Sequence, residues 1–145
     1  MTKVEASVVI DRPIEEVFAY VMDVGAWPKW EAGLLEAEQT SEGPIGVGTT
    51  FRGLNEFMGR KMEWASEITD YEPNKRAAQK MISGPISGEQ TLTFEPADGG
   101  TRFSLAAEGE TGGFFKVAEP LVNRMMKKQM EGNLAKLKQI LEAGA

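Results

Sequence analysis

The chain of 145 residues contains neither cysteine nor histidine. Without cysteine there are no disulfides, no thiolate metal sites and no sulfur nucleophile. Without histidine there is no imidazole base and no histidine-dependent catalytic triad. Basic residues are also in deficit, 16 against 22 acidic, which leaves a formal charge of −6. Nucleic acid is therefore not an expected partner, because phosphate binding needs a basic face. No apolar run approaches the roughly 20 residues of a membrane-spanning helix. The opening Met1-Thr2-Lys3-Val4-Glu5 turns acidic at once and does not read as a signal peptide. Together with the missing cysteines, this makes a cytoplasmic location the expectation.

What is present is globular. Apolar residues at 41% against 26% charged give enough material for one core, and the length suits one domain over residues 1–145. The charge is uneven. Residues 114–145 carry 6 basic and 3 acidic side chains, residues 1–113 carry 10 and 19. A basic tail on an acidic body reads first as complementarity within one fold and second as a helix touching an anionic membrane.

Residues 3–10 alternate, with Val4, Ala6, Val8 and Ile10 on one face, and predict a strand. Asp11-Arg12-Pro13 then reads as a helix start capped by Asp11, and Ile14, Val17, Phe18 and Val21 follow at helical spacing. Gly25 and Pro28 interrupt, and a second short helix is expected to hold Trp27 and Trp30. From Leu34 to Gly109 the pattern is β, with turn clusters at Ser41–Pro44, Asn55–Gly59, Glu72–Asn74, Ser83–Pro85 and Pro96–Gly100. About six strands fit between them. Met62/Trp64/Ser66/Ile68, Gln90/Leu92/Phe94 and Thr101/Phe103/Leu105/Ala107 alternate with polar partners, which implies an antiparallel sheet with one wet face. Asp98-Gly99 is a hairpin signal. The end is helical: Val122, Met126, Met130, Leu134, Leu137 and Leu141 make one stripe, which Leu121 and Met125 are expected to widen. A helix from Pro120 to Glu142 would run about 34 Å.

The fold class that follows is α+β, a helix-grip arrangement. A six- or seven-stranded antiparallel sheet curls around one long C-terminal helix, with two short helices after the first strand. A sheet and one cylinder rarely match in shape, so an internal cavity is expected between them.

The ordered set also resembles a known family. Ile10–Phe18, the stretch from Asp23 to Trp30, Gly46-Val47-Gly48-Thr49, Glu72-Pro73, Gly99-Gly100-Thr101-Arg102 and the terminal helix are similar to the START-related superfamily, in particular its polyketide cyclase/dehydrase-like (SRPBCC) branch. The resemblance covers nearly the whole chain. It implies the helix-grip fold and binding of lipids, sterols, polyketides, quinones or plant hormones, with catalysis in some members. Fold analogy does not choose among these.

By alternation, Trp27, Trp30, Phe51, Met62, Trp64, Met81, Leu92, Phe94, Phe103, Leu121 and Met125 face the space between sheet and helix, either as ordinary core or as a ligand-binding wall. Eight methionines, three of them at 125, 126 and 130, favour an adaptable wall. Gln90 lies on the inward face and is the first candidate to orient a ligand oxygen, with Arg52 second. The glycine-rich stretch 109–113 before Phe114-Phe115 is a candidate lid, and Leu54–Gly59 (with Phe57) and Ser83–Ile86 are candidate gates. Phe114 completes the candidate ligand-binding set.

Catalytic material is thin. Glu36/Glu38 and Glu108/Glu110 are paired on strand faces that read as solvent-side. Gly46-Val47-Gly48 lacks the third glycine of a dinucleotide loop and enters a strand. No metal-ligand spacing and no nucleophile elbow occur, and no cofactor or metal is expected. The reading is a binding protein for a small hydrophobic or amphipathic molecule. The alternatives are a cyclase- or dehydratase-type enzyme, or a module that docks a protein or membrane without a ligand.

Overall fold

The computed structural model describes residues 2–57, 59–84, 86–111 and 119–144. In chain order these form β1 (Thr2–Ile10), α1 (Ile14–Val21), a 3-10 turn (Val24–Ala26), α2 (Trp27–Trp30), β2 (Leu34–Gln39), β3 (Thr50–Phe57), β4 (Arg60–Glu72), β5 (Arg76–Ser83), β6 (Ile86–Ala97), β7 (Gly100–Thr111) and α3 (Glu119–Glu142). The seven strands make one antiparallel sheet in the order β1-β7-β6-β5-β4-β3-β2. The sheet curls into a half-barrel with α3 along it, which is the α+β helix-grip architecture.

Most turns follow their residues. Asp98 and Gly99 both take positive φ, 47° and 79°, and join β6 to β7 as a tight hairpin. Two local expectations are corrected. The β3 strand continues through Asn55 and Glu56 to Phe57, which pairs with Arg60, so the turn is shorter than Asn55–Gly59. Asp11 does not cap α1: the cap position is Pro13, with no side-chain bond, and the Asp11 N–H instead donates to Glu142 Oε2 at 2.8 Å.

The packed end of the sheet is aromatic. α1 buries Val17, Phe18 and Val21. Phe18 meets Phe94 edge-on at 5.0 Å and Tyr71 at 5.7 Å, and Phe94 stacks on Phe103 at 5.0 Å. Tyr71 reaches this cluster because the β4–β5 register shifts between Ile68 and Asp70, which changes the alternation.

α3 is anchored by its second half. Met130, Leu134, Leu137 and Leu141 are buried at helical spacing. Four bonds among the described residues hold its end to the start of the chain: Lys138 Nζ donates to the Val9 carbonyl (2.6 Å), Arg12 Nε donates to the Leu141 carbonyl (2.9 Å), Arg12 Nη2 donates to the Glu142 carbonyl (3.2 Å), and the Asp11 N–H donates to the Glu142 carboxylate. Near its middle, Gln129 Nε2 donates to the Ala32 carbonyl and Asn133 Oδ1 accepts from the Ala32 N–H. Packing thins toward its start, where Met126 is half-buried.

Candidate functional site

A cavity of about 350 Å³ opens where the packing thins. Its roof is the end of α1 (Val21, Met22), α2 with the next residue (Trp27, Trp30, Glu31) and Met126 of α3. Its floor is the concave side of β2 to β7: Leu34, Phe51, Asn55, Met62, Trp64 and Ile68, then Ala77 to Gln79, Met81, Ser87 to Gln90, Leu92 and Ala107 to Gly109. The size and apolar lining suit a small ligand.

Local sequence explains several walls. Trp27 is fixed by donation from Nε1 to the Val21 carbonyl at 2.7 Å, and its ring lies 4.9 Å from Phe51. Trp64 lies flat over Gly53, where a Cβ would come within 2.2 Å of the indole. Only glycine leaves room for that ring. Trp64 Nε1 then donates to Asn55 Oδ1 at 2.6 Å. Gly88 and Gly109 pair across β6 and β7, and a Cβ on either would meet the opposite backbone at 2.1 Å. The two strands approach closely there because neither carries a side chain.

The polar groups fall in two sets. On the floor, Ser66 Oγ donates to Gln79 Oε1 (2.9 Å), and Gln79 Nε2 donates to Gln90 Oε1 (2.6 Å). Whichever way the two amides are turned, one half of the Gln90 amide remains without a partner among the described residues. In the roof, Trp30 is buried and its Nε1 has no acceptor among the described residues. Glu31 follows it. Its side chain is half-buried and lines the cavity, and among the described residues no hydrogen bond or ion pair reaches its carboxyl. Loss of water pushes that carboxyl up to about 7.

Of the residues singled out from sequence, Trp27, Trp30, Phe51, Met62, Trp64, Met81, Gln90 and Leu92 line the cavity. Phe94 and Phe103 share the concave face but lie in the aromatic cluster under α1, which fills that end. Leu121 and Met125 point away, at 57% and 36% exposure. Leu121 precedes Met130 by nine residues, about half a turn out of phase at roughly 100° per residue. Phe114 and Phe115 lie outside the described residues, as does most of the candidate lid. Arg52 is on the outer face, bound to Glu36, Glu38 and Glu63 at 2.9, 3.1 and 3.2 Å, and is remote from ligand orientation. Sequence reading missed Glu31, Asn55 and Gln79. Gln79 could have been found as the register partner of Gln90, and Glu31 as the acid closing the Trp27–Trp30 turn.

A model of the family described as polyketide cyclase/dehydrase and lipid transport matches residues 1–142. Several solved structures are similar over nearly the whole of both chains. A protein from Thermus thermophilus superposes with a TM-score of 0.85 at 24% identity, covering 99% of both chains. A START superfamily protein from Mycobacterium smegmatis gives 0.85 at 17% identity, covering 100% of both. The Zhui aromatase/cyclase from a Streptomyces species gives 0.80 at 17%, covering 99% of this chain and 98% of that one. These identities establish likeness of fold. No curated protein matches the sequence. Among the described residues, no helix is long and apolar enough to cross a membrane.

Proposed function

The chain belongs to the polyketide cyclase/dehydrase and lipid transport family, and from that premise we propose that it is one ligand-binding domain whose cavity holds a small hydrophobic or amphipathic molecule. The observation that carries the reading is the preformed cavity of about 350 Å³, walled by three tryptophans and by methionines. Burying 250 Å² of apolar ligand surface at about 25 cal/mol per Å² gives roughly 6 kcal/mol before ordering costs. Trp27, Trp30, Phe51, Met62, Trp64, Met81 and Leu92 supply apolar contact, and Gln90 orients a polar group.

Native mass spectrometry of the purified protein, followed by organic extraction, tests this. The expected result is an apolar adduct, or one acquired from a lipid and polyketide panel, that is weakened when Ala107→Leu narrows the cavity. Ala107 is half-buried in the lining, so its enlargement takes up empty space and should leave the fold intact or slightly more stable. A protein that binds nothing from the panel contradicts the reading.

One observation favours a second reading, an enzyme of cyclase or dehydratase type. Glu31 is a cavity carboxyl that exchanges its proton near neutral pH, as a general acid or base must. Turnover of a bound polyketide that Glu31→Gln abolishes while binding persists would support it.

A further inference from the structure

Among the described residues, the titratable groups of the cavity lining are Glu31, Glu89 and Glu108, with no lysine or arginine. Glu89 and Glu108 are exposed, and Glu108 pairs with Lys3 at 3.4 Å. Glu31 has no cation of its own among the described residues. The α3 side chains that bond the segment just after it are Gln129 and Asn133, both uncharged. The residue preceding Glu31, Trp30, also lines the cavity, and its buried N–H lacks an acceptor among the described residues.

A group left unpaired in an apolar wall is destabilising until something bonds to it. An anion entering here would meet an acid and, among the described residues, no counter-charge to offset its lost hydration. A hydroxyl or ammonium would donate to the Glu31 carboxylate, and an oxygen on the same ligand would accept from the Trp30 N–H.

We propose that the cavity selects apolar molecules carrying an uncharged or cationic hydrogen-bond donor, that Glu31 receives the donor, and that the same carboxylate rejects fatty acids and other anionic lipids. The proposal rests on the ligand-binding reading above and specifies the class of its ligand. The high ionisation point of Glu31 is what an acid without a cation shows, and an ammonium ligand would lower it.

The experiment compares decylamine, decanol and decanoate, which share one tail and differ in the head. Titrations are followed by tryptophan fluorescence, since all three tryptophans line the cavity. At about pH 8, where Glu31 is ionised, decylamine and decanol should bind at least about tenfold more tightly than decanoate. Glu31→Gln should cut the amine-to-carboxylate ratio to within about threefold. Equal affinity for decanoate and decylamine in the native protein overturns the proposal and leaves the ligand-binding reading standing. An unchanged ratio in a folded Glu31→Gln protein also overturns it, because another group would then set the preference. If none of the three binds, the proposal fails, and the ligand-binding reading fails with it only if the lipid and polyketide panel is also not bound.

Discussion

Glu31 ionises near 7 in the folded chain against an ordinary value of 4.5. The folded state therefore holds its proton more tightly than the unfolded state between those values. Stability is unaffected by the shift below about pH 4, falls as pH rises through the interval, and stays reduced above it. A shift of this size corresponds to no more than about 3 kcal/mol, and contact of the half-exposed side chain with water reduces that. Glu31→Gln should remove the dependence, so that the variant is the more stable protein at pH 8 and gains little at pH 4. Urea unfolding at the two pH values measures it, and a variant no more stable at pH 8 would show that the carboxyl is better solvated than its surroundings imply. Glu31 also shows the limit of residue-level reading. Its type alone announced nothing: a lone acid after a tryptophan is usually a solvated one. Only the closure of the sheet beneath α2 removes its water.

At the level of elements, the alternation carried most of the information. Strands with one wet face must alternate, so the inward set of β4, β6 and β7 was readable from spacing alone. Two features escaped it. A register shift in β4 re-aimed Tyr71, and a bulge leaves no mark in composition. The α3 stripe was readable from Met126 to Leu141, but the width given to it by Leu121 and Met125 was not, because hydrophobic residues on a helix need not face the core. The helix gives a sharp contrast to test. Leu137 is fully buried, so Leu137→Ala should cost about 2–5 kcal/mol. Leu121→Ala, at an exposed position, should change stability by less than about 0.5 kcal/mol. Thermal unfolding of the pair checks the phase of the helix, and similar losses would place both side chains in the core.

At the scale of the whole molecule, one end of the half-barrel is filled and the other is not. α1 drives Phe18 into Phe94 and Tyr71 at the filled end, and Lys138, Arg12 and Glu142 tie α3 down at its C-terminus. The unfilled end lies under α2 and the first half of α3. The sequence made the existence of a cavity foreseeable, since one helix cannot fill a curled seven-stranded sheet. It did not make the position foreseeable, because that depends on which end α1 covers. On the proposed function, this space and no surface receives the ligand. The most direct measurement is a titration of isotope-labelled protein with decanol, following the three tryptophan indole N–H signals by NMR. The Trp30 and Trp64 signals should move most, and the movement should saturate. Indole signals that stay still while backbone signals around the exposed Leu121 and Met125 shift would contradict it, and would place binding on the outer surface of α3.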